Sequence, residues 1–368
     1  MTPLIFLLCL TAASCAILNQ KKFGKSLEGE RLERTKASPN YADGEFRNQT
    51  PTQMLAEGQS TMKIIVQSWF THSERLRPES PLPTVKVDLT GPGAMDRNDD
   101  VLIWLGHSSY LIQLGGTRIL VDPVFNDHGA PFSFLNKTFP GTDVYTPDNI
   151  PEIDVLLISH DHWDHLDFAT VTALQPKVGK VVCPLGVGAN LEYWGYTRDQ
   201  IREADWWDKG LSLEDGPTIT LVPARHYSGR LFHKNTTLWT GFVIEENGRR
   251  IFLSGDTGYG PHFAEIARAF GAFDLVALDG GQYDSRWPLI HMTPEEAVRA
   301  ATEMGTKSMM LAHAGRFCIS EHPWDEPFIR AAKAATDADF ALLTPKIGEQ
   351  VQLDRTGQSF PNWWEGID

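Results

Sequence analysis

The sequence predicts an α/β layered protein built on mixed sheets, and three observations point there. Short apolar runs of strand length, some joined by glycine hairpin turns, recur from about residue 101 onward. Helical patterns alternate with the later runs, as in proteins that cover a sheet with helices. A histidine-rich turn directly follows one buried run, at the strand end where α/β proteins place their sites.

The elements follow in order. The run Val101 to Leu105 predicts a strand, and Tyr110 to Leu114 and Arg118 to Val121 flank Gly115-Gly116 as a hairpin. The runs Val155 to Ser159, Lys180 to Cys183 and Thr218 to Val222 are strands by composition. A second hairpin joins Phe242 to Glu245 and Arg250 to Leu253 through Asn247-Gly248. Asp274 to Leu278 and Ser308 to Ala312 complete the strands. Helical patterns cover Phe263 to Phe270 and Pro327 to Ala335. Thr293-Pro294-Glu295-Glu296 combines an N-cap Thr, Pro at the first helical position and Glu at the third. It opens a helix expected to reach Met304 and stop at Gly305. No repeat or linker divides the body, so residues 61–368 are read as one catalytic domain, preceded by an extended polar arm over 16–60.

The chain has 368 residues, 42% hydrophobic and 22% charged, which suits a folded protein with a sizeable core. Its net charge of −14 argues against a nucleic-acid partner, which needs clustered Lys and Arg. The apolar run Leu4 to Leu10 is too short to span a bilayer and reads as a secretory signal over residues 1–15. Cys15 stands where a bacterial lipoprotein carries its lipidated cysteine, although no Lys or Arg precedes the run and Ala12 replaces the usual Leu. The expectation is an exported, periplasmic or lipid-anchored protein, and a cytoplasmic one if the signal is not used. Cys183 and Cys318 are expected to be unpaired core thiols. Asn48-Gln49-Thr50, Asn136-Lys137-Thr138 and Asn235-Thr236-Thr237 match glycosylation sequons, which carry no meaning in a bacterial protein.

The decisive stretch is Ser159-His160-Asp161-His162-Trp163-Asp164-His165. In an extended turn His160 and His162 point the same way, while Asp164 and His165 wind into the next helix. Imidazole and carboxylate are the donors expected for zinc or manganese. Further donors should also lie at strand ends, and three do: His226 after Val222, Asp256 after Leu253, and His313 after Ala312.

With these residues in hand, the sequence resembles the metallo-β-lactamase superfamily, whose metal pattern is H-x-H-x-D-H, a later His, a Gly-Asp-Thr and a final His. More narrowly it is similar to N-acylphosphatidylethanolamine-hydrolysing phospholipase D and its bacterial relatives. That likeness rests on Trp104-Leu105-Gly106-His107-Ser108-Ser109, Leu120-Val121-Asp122-Pro123-Val124-Phe125 and Pro223-Ala224-Arg225-His226-Tyr227. Thr237-Leu238-Trp239 and His291-Met292-Thr293-Pro294-Glu295-Glu296-Ala297 extend it, and it covers about residues 40–350. The resemblance implies an αββα sandwich with two divalent metal ions, zinc foremost and manganese or iron(II) as alternatives. It assigns His160, His162 and His226 to one ion and Asp164, His165 and His313 to the other, with Asp256 bridging. It also implies a catalytic or substrate-orienting role for His291. The chain departs from the family at Ala314, where a Trp is common, and in the short segment 286–290.

The expected activity is a phosphodiesterase on a glycerophospholipid at a membrane surface, using a hydroxide shared by two metals. Asp122 is read as a carboxylate that orients a ligand histidine, and Arg225 as a candidate phosphate contact. His107 is read as structural, Asp161 as no ligand, and Trp206-Trp207 as buried packing. The alternatives are a lactonase or carboxylic-ester hydrolase, a β-lactamase, disfavoured by Asp256, and a non-catalytic metal-binding protein.

Overall fold

A computed structural model describes residues 20–68, 75–91, 94–214, 216–230 and 233–368. The signal and Cys15 lie outside the described residues. Two seven-stranded sheets form the body. The first runs Gln350–Gln352, Val101–Trp104, Tyr110–Leu114, Thr117–Val121, Ile153–Leu157, Val178–Pro184, Ile201–Ala204. The second runs Ala341–Leu343, Ser308–Ala312, Leu275–Asp279, Arg249–Leu253, Gly241–Glu246, Thr218–Val222, Lys209–Ser212. Each sheet is mixed. The glycine hairpins each make an antiparallel pair, with Leu111 opposite Leu120 and Ile244 opposite Ile251. The pairs separated by helices are parallel, such as Leu156 beside Val181 and Leu278 beside Leu311.

Period-two alternation sends side chains to two different layers. Leu102, Trp104, Ile112 and Ile119 join Ile219, Phe242 and Ile251 of the other sheet in one core cluster. Val101, Ile103, Leu111 and Leu120 face the opposite way and pack with Val171 and Leu174 of the helix Phe168–Leu174. Beyond the second sheet lie the helices His262–Phe270, Pro294–Glu303 and Glu326–Ala334, through Phe263, Ala297 and Phe328. Helix, sheet, sheet and helix thus stack as an αββα sandwich.

The arm differs from the extended segment expected, because it contains the helix Gly29–Ala37. That helix docks by charge. Arg31 pairs with Glu192 at 3.1 Å and with the buried Glu203. Further along, Ser38 Oγ and Asn40 Nδ2 donate to Asp205 at 2.5 and 2.8 Å. Cys183 is buried and both body cysteines are unpaired. Among the described residues no helix is long and apolar enough to cross a membrane.

Candidate metal centre

The strand Ile153–Leu157 and the helix Phe168–Leu174 are separated by the histidine-rich turn. Leu166 N donates to His162 O at 2.8 Å, which winds the turn. Asp167 caps the helix by accepting from Thr170 N at 2.9 Å. His226, Asp256 and His313 each follow the C-terminal end of a strand of the second sheet. Gly255 has φ 58°, and a Cβ there would lie 2.6 Å from Thr240 O. Glycine therefore permits the tight turn that delivers Asp256. His107, Asp122 and His313 also take left-handed backbone, with φ 56°, 39° and 61°. Such strain collects where the surroundings over-determine a side chain's direction.

The turn and the loops gather two donor groups. In the first, His162 Nδ1 lies 2.9 Å from His160 Nε2 and 3.2 Å from His226 Nε2. Asp256 Oδ2 lies 3.6 Å from both of those Nε2 atoms. Neighbours assign the tautomers. His160 Nδ1 donates to Ser159 Oγ at 2.9 Å, and His226 Nδ1 donates to Ile290 O at 3.0 Å. Both Nε2 lone pairs are thereby turned toward His162 and Asp256.

In the second group, Asp256 Oδ1 lies 2.7 Å from His313 Nδ1 and 3.1 Å from His165 Nε2. Asp164 Oδ2 lies 3.6 Å from His165 Nε2. His165 Nδ1 donates to Asp122 Oδ2 at 2.9 Å, and Asp122 is itself held by Ser159 N at 2.7 Å and Ser159 Oγ at 2.5 Å. His107, read as structural, sits inside this group with Nε2 2.9 Å from Asp164 Oδ2.

The electrostatics match a cation site. Burial pushes His160 and His226 well below the ordinary imidazole range and His313 down to about 3, so all three offer neutral lone pairs. Burial would raise Asp164 and Asp256, yet the surrounding histidines, His165 foremost, hold both carboxylates below their usual range. His165 Nε2 and Asp256 Oδ1 are buried atoms with no hydrogen-bond partner despite their proximity. Converging lone pairs and orphaned buried acceptors are costly unless a cation joins them. Zinc–nitrogen bonds of about 2.0 Å allow donors this close around one ion. The donor set therefore fits divalent metal.

His291 stands at the edge of both groups. Its ring stacks on His313 at 4.8 Å and meets His226 at 4.9 Å. Its Nδ1 is 2.8 Å from Asp279 Oδ2. Burial raises Asp279 to about 7, and Asp279 in turn raises His291 against the effect of burial. Sequence reading missed Asp279. It ends the fully buried strand Leu275–Asp279, the same strand-end context that marked the other donors.

Arg225, expected as a phosphate contact, is engaged otherwise. Its guanidinium donates to Thr52 Oγ1 at 3.0 Å, Tyr259 O at 2.9 Å and Pro51 O at 3.4 Å. It clamps the arm to the loops of the site. Asp161 accepts from Gly229 N at 2.7 Å and is absent from both donor groups. Trp206 is buried, with Nε1 donating to Trp239 O at 2.6 Å, but Trp207 is exposed, so packing accounts for one member of the pair only.

Residues 117–314 match the β-lactamase superfamily domain. An uncharacterised Mycobacterium tuberculosis protein is 37% identical over 332 residues, 89% of this chain and 87% of the relative. N-acyl-phosphatidylethanolamine-hydrolyzing phospholipase D 1 of Caenorhabditis elegans is 33% identical over 231 residues, 58% of this chain and 63% of that protein. A solved metallo hydrolase from Ignicoccus hospitalis shares the fold with a TM-score of 0.51 at 21% identity, covering 68% of this chain and 97% of that one. A superfamily match over more than half the chain and a sandwich that gathers His and Asp donors at its strand ends agree: the chain belongs to the metallo-β-lactamase superfamily and is a metal-dependent hydrolase of that fold.

Proposed function

We propose that this protein is a two-metal phosphodiesterase that cleaves N-acylphosphatidylethanolamine-type lipids as a phospholipase D does. The observation that carries the two-metal reading is Asp256, which turns Oδ2 to His160 and His226 and Oδ1 to His165 and His313. His160, His162 and His226 would hold one ion, and Asp164, His165 and His313 the other, with Asp256 shared. Zinc suits this donor set, and manganese and iron(II) share its preferences. The likeness to the nematode lipid hydrolase supports the substrate class. The net charge of −14 disfavours nucleic acid as a partner.

Divalent metal held by these residues would supply Lewis acidity, making water more acidic and neutralising charge that develops on phosphorus oxygens. The protein's own residues do the rest. Ser159, Asp122 and the Ile290 carbonyl fix the tautomers of His160, His165 and His226. Burial keeps bulk water from competing for the donors. His291 lies beside Asp256 and His313 and gives Nδ1–H to Asp279, whose charge favours the doubly protonated ring. From there the protonated ring gives its Nε2 proton to the departing ethanolamine oxygen as water adds to phosphorus, and the proton that water sheds restores the ring. The products are phosphatidic acid and an N-acylethanolamine. Export with anchoring at Cys15 would place the enzyme beside a membrane surface.

The test is hydrolysis by zinc-loaded protein, beside an Asp256→Asn variant, on matched phosphodiester, lactone and β-lactam substrates. Release of phosphatidic acid, reduced about a thousandfold in the variant, is the expected result. Lactone opening without phosphatidic acid would move the protein to a lactonase activity on the same centre. Metal binding with no turnover of any ester would leave a binding protein.

A further inference from the structure

His226 lies in a loop beyond the strand Thr218–Val222, so no sheet ladder holds its peptide groups. The arm supplies what the ladder does not. Asn48, 178 positions earlier in the chain, closes its carboxamide on both backbone polar groups of His226. Nδ2 donates to His226 O at 2.7 Å, and Oδ1 accepts from His226 N at 3.0 Å. A carboxamide bonded to both the N–H and the C=O of one residue fixes that residue in position and in rotation. Oδ1 also accepts from Trp239 Nε1 at 3.2 Å. That indole N–H has a second acceptor in Ala224 O at 3.0 Å, so it does not depend on Asn48.

The preceding residue is held from two sides. Arg225 N donates to Thr257 Oγ1 at 2.8 Å and Gly258 N donates to Arg225 O at 2.9 Å, which ties it to the loop that carries Asp256. Its guanidinium is tied to Thr52 and Pro51 of the arm. The segment bearing His226 is therefore clasped between the Asp256 loop and the arm. Asn48 is the only one of these contacts made to His226 itself by the described part of the arm.

We propose that Asn48 is a positioning residue for the metal centre: the arm's carboxamide sets where His226 Nε2 stands relative to His162 Nδ1 and Asp256 Oδ2. The proposal rests on the reading that His226 is a metal ligand. It also accounts for the Asn48-Gln49-Thr50 tripeptide without a glycan, because the amide nitrogen that a glycan would need is turned inward onto His226 O.

The experiment uses full-length protein as wild type, Asn48→Ala, Asn48→Asp and His226→Ala. Each is stripped of metal and titrated with Zn(II) against a chromophoric chelator, and with Co(II) followed by visible absorption. The urea midpoint of each metal-free form is measured alongside. Asn48→Ala is expected to bind one ion about tenfold to a hundredfold more weakly, with an altered Co(II) band, and the other ion as wild type does. Asn48→Asp, which keeps the acceptor and loses the donor, is expected to fall between. Wild-type affinity for both ions and an unchanged Co(II) band in folded Asn48→Ala would overturn the proposal, even with a lowered urea midpoint. Should Asn48→Ala not fold, Asn48→Asp decides by the same two criteria. His226→Ala reads the underlying assignment separately: loss of one ion upholds it, and two ions at wild-type affinity remove it and the proposal with it.

Discussion

In the proposed mechanism the pairing of His291 with Asp279 would separate proton transfer from metal binding. Asp279→Asn keeps the shape beside Nδ1 but removes the anion 2.8 Å away that favours the protonated ring. Turnover is expected to fall about a hundredfold, with metal content and KM near wild type. A variant that keeps full turnover would remove the dyad from the mechanism. A second residue sets a pH response in stability. Burial pushes His262 down to about 3, with Nε2 3.1 Å from Thr257 Oγ1. Its ordinary value is 6.5, so in the unfolded chain it takes up a proton as pH falls through that value while the folded chain does not. Its contribution to stability is therefore intact above that pH. It declines by up to about 1.4 kcal/mol per pH unit on acidification. His262→Gln should flatten this slope in urea unfolding between pH 6 and pH 4, whatever the variant costs at neutral pH; parallel slopes would contradict the assignment. The cluster of candidate donors was legible in the sequence where they are local, as in His160 to His165, or follow apolar runs, as His226, Asp256 and His313 do. Asp279 and Asn48 were not, because an acid closing a strand and an asparagine in a polar arm gain meaning only from the partner that folding brings to them.

At the scale of elements, the helix Pro294–Glu303 follows His291 closely and its entry is fixed by a capping box. Thr293 Oγ1 accepts from Glu296 N at 3.3 Å, and Glu296 Oε2 accepts from Thr293 N at 2.9 Å. Thr293→Ala should cost about 1 kcal/mol, read as a lower urea midpoint at unchanged slope. A shift within error would mean that packing alone fixes that end. Ten strands of the two large sheets were foreseen within a few residues. Those not foreseen are Ile201–Ala204, Lys209–Ser212, Ala341–Leu343 and Gln350–Gln352, and all four are the outermost strands of their sheets. The physical reason is exposure. A central strand such as Leu275–Asp279 is buried throughout and reads as an apolar run, whereas Lys209–Ser212 has no fully buried residue. Edge strands carry polar and charged side chains that keep them from pairing further, so the pattern that reveals a strand is missing there. The helix Gly29–Ala37 escaped for a related reason: it docks through Arg31 and Glu203 and has no apolar stripe to read.

At the scale of the molecule, the arm binds the αββα body by charge at Arg31 and by hydrogen bonds at Asn48, so chain drawn from well outside the strand-end loops reaches the candidate site. The proposed anchoring is tested in cells: Cys15→Ser should move the protein from the membrane fraction to the soluble one, and retention in the membrane fraction would argue against a lipid at that position. The order of the first sheet has another consequence. Val101–Trp104 is fully buried, and one of its two flanking strands is Gln350–Gln352, with Val351 opposite Leu102. A chain emerging from the ribosome thus presents four apolar residues beside a row of unsatisfied peptide groups until nearly 250 further residues have been made. During that interval a neighbouring nascent copy can add its own strand at the open edge. Chaperone demand during synthesis should follow from this delay, and a premature stop codon anywhere before position 350 makes the open edge permanent.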